Sequence, residues 1–85
     1  MNIYRTERFK KDFKKLPQDI RTKLPKTLSQ YISNQLYPSL RVKKMEGTED
    51  IWEMRVSVSY RITFNKLSDG ILLRRIGTHA ILNFP

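Results

Sequence analysis

Cationic and titratable side chains that could act on a phosphate group are concentrated in the C-terminal half of the chain. Arg55 and Arg61 fall on segments with strand periodicity, Lys43 and Lys44 fall on a shorter one, and His79 follows the last. Arginine offers a fixed fork of donors that matches phosphate oxygens, and histidine exchanges a proton near neutral pH. Because neighbouring antiparallel strands lie about 5 Å apart, such groups can converge on one phosphate.

Cleavage of RNA is a reaction that these groups could catalyse without a metal ion. RNA supplies its own nucleophile, the 2′-hydroxyl group, so the protein must position the strand, move two protons and stabilise the charge of the phosphorane. Arg55 and Arg61 suit the electrostatic part, and His79 could act as either acid or base. A simpler interpretation stays open, in which the arginines are solubilising or paired with carboxylates such as Glu53, and His79 is a turn residue.

The charge of the chain predicts a polyanionic partner. Seventeen Lys and Arg face eight Asp and Glu, which gives a formal net charge of +9. A field of that sign attracts nucleic acid, the ribosome or an acidic protein, although solubility alone would also be served by it. The absence of cysteine excludes disulfides and thiolate metal sites, and a single histidine cannot build a zinc site by itself.

The length and hydropathy of the chain predict a single small domain that does not associate with a membrane. No apolar run approaches the roughly 20 residues that a membrane span requires, and the polar N-terminus lacks the apolar core of a signal peptide. We therefore expect a cytoplasmic protein. The 85 residues predict one domain over 1–85, which is too small for a deep cofactor cleft, so we expect no cofactor and no metal.

A strand and two helices are predicted in the N-terminal half. A short strand over 1–5 leads to Thr6, a suitable N-cap. A helix over 7–16 is indicated by the i, i+4 and i+7 spacing of Phe9, Phe13 and Leu16.

The second helix is predicted to begin at Pro17 and to keep its apolar period through Leu36, down to Pro38. Pro25 falls inside it and predicts a kink or a restart. The two helices would form an antiparallel hairpin. The segment 27–40 contains no charged residue, so we expect most of it to face the core, and the remainder could be a docking surface for a partner.

From Leu40 onward the apolar period changes from about 3.6 to 2, which predicts strands. These strands span 41–45, 51–58, 60–65 and 71–77, with turns over 46–50 and 68–70. The inward face of the two central strands is predicted to carry Trp52, Met54, Val56, Val58, Tyr60, Ile62 and Phe64. The predicted fold class is α+β, in the order β-α-α-β-β-β, with the helical hairpin packed on one face of a twisted, mainly antiparallel sheet. Arg55 and Arg61 would lie on the opposite face.

Three stretches of the sequence resemble the RelE/ParE toxins of type II toxin–antitoxin modules, nearest to the RelE- and YafQ-like mRNA interferases. They read FKKDFKKLP at 9–17, LRVKKMEGTEDIWEMRVSVSYRITF at 40–64 and LLRRIGTHAIL at 72–82. The resemblance implies a RelE-like fold and cleavage of mRNA in the ribosomal A site. It also implies a partner, the cognate antitoxin, whose acidic or amphipathic segment would cover the basic face.

The resemblance assigns roles to individual positions. Arg61 matches the family's phosphate-binding arginine, His79 a position that is His or Arg in its ribonucleases, and Arg55 a central-strand position that is often Lys or Arg. Phe84 fits, with a shift of one, the aromatic residue that stacks on an mRNA base. The role of Glu53, where RelE has a lysine, stays open. The predicted catalytic residues are Arg61, His79 and Arg55, and the predicted substrate-binding residues are Lys43, Lys44, Arg41, Arg75 and Phe84.

Other functions remain open from the sequence. A ParE-like inhibitor of DNA gyrase would share the fold but needs no phosphate-cleaving residues, so Arg61 and His79 favour the ribonuclease. A degenerate toxin would bind its antitoxin only. A basic RNA-binding module is a further alternative, but the chain lacks the paired aromatic pattern on which such modules stack bases.

Overall fold

A five-stranded mixed sheet with two helices on one face forms the protein. The computed structural model describes residues 1–85. The elements are β1 (Asn2–Arg5), α1 (Glu7–Lys14), α2 (Gln18–Ser33), β2 (Lys43–Lys44), β3 (Ile51–Arg55), β4 (Tyr60–Leu67) and β5 (Gly70–Thr78), with 3-10 helices at Pro38–Leu40 and His79–Asn83. The sheet order is β1-β5-β4-β3-β2. Only the β1–β5 pair is parallel, so the α+β class and the mainly antiparallel sheet are confirmed. Four strands follow the helices, one more than in the predicted order β-α-α-β-β-β.

Thr6 joins the first helix to the sheet. Its side chain accepts a hydrogen bond from the Phe9 N–H at 3.0 Å, which confirms the predicted N-cap. The same hydroxyl donates to the carbonyl oxygen of Arg74 at 2.7 Å. One residue therefore begins α1 and fixes it against β5.

Helix α2 runs through Pro25 and does not restart there. The proline removes one backbone hydrogen bond, but it lies on the exposed side of the helix, where water can bind the carbonyl group that loses its partner. None of the helices has the length and apolarity needed to cross a bilayer.

The prediction that α2 continues to Pro38 is wrong. The helix ends at Ser33, and the Asn34 side chain accepts a hydrogen bond from the Leu36 N–H at 3.0 Å, which makes a local turn. Leu36 is consequently 84% exposed instead of facing the core.

The hydrophobic core lies between the helices and one face of the sheet. Tyr31 of α2 meets Phe64 of β4 edge to face, with ring centroids 5.4 Å apart. The core consists of Phe9, Leu16, Ile20, Leu24, Leu28, Tyr31, Leu40, Met54, Ile62, Phe64, Ile71, Leu73 and Ile76. Met54, Ile62 and Phe64 occupy the inward positions that the alternation predicts.

Strands β2 and β3 are shorter than predicted, whereas β4 and β5 are longer. Strand β3 ends at Arg55, so Val58 lies in the β3–β4 connection and is exposed instead of inward-facing. Strand β2 is limited to Lys43–Lys44. Arg41 precedes it in the left-handed region, with φ 48°, and caps the first 3-10 helix. Strand β2 is shorter than predicted at both ends, and β3 is shorter at its C-terminal end. At the end of β3 the chain turns before the alternation of apolar residues stops.

The sheet face opposite the helices, here called the outer face, is only partly open. The Pro85 carbonyl oxygen accepts hydrogen bonds from the Thr63 hydroxyl at 3.1 Å and from Arg74 Nε at 3.2 Å. Ile81 of the second 3-10 helix is buried there. Residues 79–85 thus cover the outer face over β4 and β5, and they leave the β3 side open.

Candidate functional site

The register of the sheet brings Arg55 and Arg61 side by side. Arg55 of β3 pairs with Arg61 of β4, and Arg61 pairs with Gly77 of β5. Directly paired residues project from the same face, so both arginines lie on the outer face, as predicted. We call Arg55, Arg61 and Gly77 the arginine row.

Gly77 lets the second 3-10 helix approach this row. A Cβ atom at Gly77 would lie 2.8 Å from the Cγ2 atom of Ile81. Since real Cβ atoms almost never come so close to a neighbour, only glycine admits this contact. A side chain at Gly77 would force Ile81 to shift, so the glycine permits the second 3-10 helix to pack closely on β5.

Carbonyl oxygens of the β3–β4 connection hold both guanidinium groups. Arg61 Nη1 donates to the carbonyl oxygens of Ser57, Val58 and Tyr60 at 2.8, 3.2 and 3.0 Å. Arg55 Nε donates to the Ser57 carbonyl oxygen at 3.3 Å. Nε and Nη2 of Arg61 make no hydrogen bond within the chain, so these donors remain available to an anion.

The electrostatic environment of Arg61 is positive. Burial, with smaller contributions from the neighbouring charges of Arg55 and Arg41, lowers the pKa of Arg61 below its usual value, and Glu53 opposes this. Arginine stays protonated in proteins, so Arg61 keeps its charge although burial disfavours it. A phosphate group would relieve the repulsion.

Glu53 lies on the outer face next to the arginines. It pairs with Lys43 on one side and Thr63 on the other, and only 8% of its surface is exposed. It has no ion pair within 4 Å and its carboxylate accepts no hydrogen bond. The Glu53 carboxylate therefore has no partner within the chain and remains available to a bound ligand.

The register separates the two candidate lysines. Lys43 pairs with Glu53 and shares the outer face with it, whereas Lys44 pairs with Trp52 and shares the opposite face. Both side chains are exposed. The sequence predicts contacts from both, and the structure brings only Lys43 to the side of the arginine row.

His79 lies at the same end of the sheet as Arg61. The pair next to Arg61 and Gly77 is Tyr60 and Thr78, and His79 follows Thr78 directly. The imidazole is exposed and makes no hydrogen bond within the chain. A strand bound over the arginine row would therefore find this imidazole accessible.

The remaining predicted residues have three different environments. All the guanidinium nitrogens of Arg75 are occupied: Nε and Nη2 bond to the two Asp12 oxygens at 3.0 and 3.1 Å, and Nη1 bonds to the Phe84 carbonyl oxygen at 3.2 Å. The Phe84 ring is 78% exposed. Arg41 is exposed and contributes to the positive potential at Arg61.

Solved structures are similar to this chain, whereas family models and curated proteins are not. No family model matches the chain, and no curated protein matches it. RelE in the RelB–RelE antitoxin–toxin complex from Methanococcus jannaschii superposes with a TM-score of 0.76 and 26% identity, over 95% of this chain and 96% of that one. The chain belongs to the RelE/ParE toxin superfamily.

Further toxins superpose equally well on this RelE/ParE chain. A mutant of YafQ from E. coli gives a TM-score of 0.74 with 23% identity, over 95% and 96% of the two chains. The YoeB/ParE toxin from Agrobacterium tumefaciens gives 0.75 with 12% identity, over 93% and 99%. At these identities, the similarity of the two structures to this chain shows a shared fold, that of the toxins of toxin–antitoxin modules.

Sequence reasoning missed two features of this candidate site. One is the set of loop carbonyls around Arg61, which belongs to the backbone and leaves no trace in residue types. The other is the burial of Glu53, which the alternation places on the outer face without indicating how deep it lies. An acidic residue on a strand face between basic residues is the only signal that could have pointed to it.

Proposed function

We propose that the protein is the toxin of a type II toxin–antitoxin module and an endoribonuclease that cleaves mRNA on the ribosome. The observation that carries the proposal is the arginine row, in which two guanidinium groups on the outer face are held by backbone carbonyls and have no carboxylate partner. Donors fixed in advance stabilise developing negative charge without reorganising during the reaction.

The arginines would bind the phosphate at the cut. The free Nε and Nη2 of Arg61 form a fork that fits two phosphate oxygens, and Arg55 adds a second cation in the adjacent register position. Charge on the phosphorane grows as the 2′-oxygen attacks, so both arginines would bind the transition state more tightly than the substrate.

Two groups near the row could move the protons. We assign Glu53 as the base that takes the proton of the 2′-hydroxyl group, because it is an unpaired carboxylate beside both arginines. His79, which is accessible, would give a proton to the leaving 5′-oxygen. The products would be a 2′,3′-cyclic phosphate and a free 5′-hydroxyl group, and no metal ion takes part.

The geometry favours some of the predicted substrate-binding residues over others. Lys43 and Arg41 are exposed cations beside the row, and the exposed ring of Phe84 suits stacking on a base. Lys44 faces the other side of the sheet, and Arg75 has no free donor nitrogen. We therefore retain Lys43, Arg41 and Phe84 as substrate-binding residues and leave out Lys44 and Arg75.

A separate antitoxin protein would silence the toxin. The M. jannaschii relative was solved as an antitoxin–toxin complex. An acidic or amphipathic antitoxin segment would complement the net charge of +9 and would cover the outer face.

Mapping of mRNA 5′ ends in cells that express the wild type, Arg61→Ala or His79→Ala tests the proposal, with translation running and with it blocked. We expect cuts within translated frames that require translation and disappear in both variants. Growth arrest without cuts would overturn the ribonuclease and favour the ParE-like inhibition of DNA gyrase. A folded protein that causes neither would be a degenerate toxin that binds its antitoxin only.

A further inference from the structure

A groove lies beside the arginine row, between α2, the first 3-10 helix and the end of β3. Its volume is about 550 Å³. Strand β2 is too short to cover this part of the β3 edge, which leaves the groove open to solvent. The side chains that give it its chemistry are Lys23, Gln30, Ser39, Arg41, Arg55 and Ser57. We call it the α2 groove.

The α2 groove continues into a second depression of about 290 Å³ along the same helix. The two share Lys23, Ser57 and Val58. The second depression reaches Tyr60, the residue before Arg61. The two depressions therefore adjoin, and their linings together extend from Tyr60 at the start of β4 to Arg41.

The cations of the α2 groove are not neutralised. The three ion pairs of the chain all use Glu7 or Asp12, on α1. None of Lys23, Arg41 and Arg55 has a carboxylate within 4 Å. The one acidic residue that lines either depression is Asp19, in the second, and it forms no ion pair with Lys23.

We infer that the α2 groove binds the phosphate backbone of single-stranded RNA on one side of the cut. The inference rests on the proposed function and extends it, because Arg55 lines the groove and also belongs to the arginine row. A strand held at Arg61 meets the mouth of the groove next. Grooves with unpaired cations and polar side chains follow a nucleic-acid backbone in this way.

Lys23 allows the sharpest test because α2 provides a matched control. Lys23 lines both depressions, whereas Lys26, three residues further along the helix, is equally exposed and lines neither. Lys23→Ala and Lys26→Ala remove the same charge from the same helix. Only a direct phosphate contact distinguishes them, since the long-range field changes alike in both.

The probe is 2′-O-methylated RNA, which the proposed chemistry cannot cleave, in lengths of about three and about ten nucleotides. The dissociation constant of the wild type and of both variants is measured across a series of salt concentrations. For the longer RNA, we expect Lys23→Ala to weaken binding several-fold and to reduce the slope of log K against log salt by roughly 0.7. Lys26→Ala should leave the slope unchanged, and the short RNA should not distinguish the variants.

Equal effects of the two substitutions would overturn the inference, because they would show a diffuse field without a groove. It would also be overturned if an acidic peptide, but not RNA, bound in a way that depends on Lys23. Failure of the proposed function has a different signature. If the mRNA maps show no cuts while Lys23→Ala still lowers the slope, the groove binds RNA and the cleavage chemistry is what fails.

Discussion

Arg61 and Arg75 lie on the same outer face, on adjacent strands, yet their surroundings are opposite. Arg75 forms a two-pronged ion pair with Asp12, and hydrogen bonding to that carboxylate raises the pKa of Arg75. Arg61 donates only to carbonyl oxygens and has no carboxylate within ion-pair distance, and burial lowers its pKa although the charge of Glu53 opposes this. One end of the face is neutralised and the other is not.

The surroundings of each arginine indicate whether it serves stability or activity, which the residue type alone does not. The Arg75 end joins α1, β5 and Phe84, and each nitrogen of the Arg75 guanidinium group makes a hydrogen bond in doing so. At the Arg61 end, donor nitrogens make no hydrogen bond, and the neighbouring charges of Arg55 and Arg41 repel Arg61. An anionic ligand would offset this repulsion. Basic residues at the first end should therefore affect stability, and those at the second should affect activity.

The largest effect is expected from Arg61→Ala. Loss of fixed donors at a developing charge should slow cleavage by roughly 100- to 1000-fold. The thermal midpoint should remain close to that of the wild type, because the partners of Arg61 are carbonyls of an open connection. The checks are a single-turnover cleavage rate and a thermal melt. Arg61→Lys, which keeps the charge but not the fork, should recover only part of the rate.

At the other end, Asp12→Ala should lower the free energy of unfolding by about 2–3 kcal/mol, since it leaves Arg75 without its counter-charge and the Ile76 N–H without an acceptor. The Asp12 and Arg75 side chains are only 12% and 16% exposed. Urea denaturation measures the change. Arg8→Ala is the control, because its contact with Asp12 is 3.6 Å long and exposed, and it should cost no more than about 0.5 kcal/mol. Equal losses would contradict a special role for the Asp12–Arg75 pair.

The same pair predicts a pH dependence. Burial alone would raise the pKa of Asp12, but hydrogen bonds from Arg75 and Ile76 and the charges of Arg75 and Arg8 lower it below its ordinary value of 3.8. A lowered folded-state pKa contributes stability above the unfolded value and loses it as the pH falls through the folded value. The stability advantage of the wild type over Asp12→Asn should hold from neutral pH down to about pH 5 and shrink below about pH 4. A constant advantage down to about pH 2 would contradict the assignment.

The smallest effect is expected at Arg41, on the functional side. Its left-handed backbone, with φ 48°, costs a residue with a side chain roughly 1–2 kcal/mol, and glycine avoids this cost but loses more chain entropy. Arg41→Gly should therefore raise the free energy of unfolding by about 0.5 kcal/mol while weakening RNA binding. Parallel urea and RNA-binding titrations check it. A variant that is less stable would show that Arg41 supports the fold.

Periodicity was sufficient to predict the part of this arrangement that depends on which way side chains point. The alternation of β3 and β4 places Met54 and Ile62 inward and Arg55 and Arg61 outward, as the structure confirms. It fails where the chain leaves an element while the pattern continues, as at Leu36 and Val58. There a turn ends the helix or strand, and an apolar residue remains exposed.

Contacts between distant segments could not be predicted in this way. Asp12 and Arg75 are 63 residues apart, and nothing in either segment marks them as a pair. The sequence therefore groups Arg75 with the substrate-binding residues, whereas the structure shows its nitrogens occupied. The choice between Lys43 and Lys44 likewise depends on the strand register. A change of one residue in the register would move each side chain of the strand to the opposite face of the sheet.

The most direct test of the account is cleavage of mRNA that carries a single 2′-deoxynucleotide at the mapped cut. Purified wild-type protein and programmed ribosomes are incubated with this mRNA and with its all-ribose counterpart. We expect that only the all-ribose mRNA is cut, leaving a 2′,3′-cyclic phosphate and a 5′-hydroxyl group. Cleavage of the deoxy-substituted mRNA at the same position would contradict it, because the attacking group would then have to come from elsewhere.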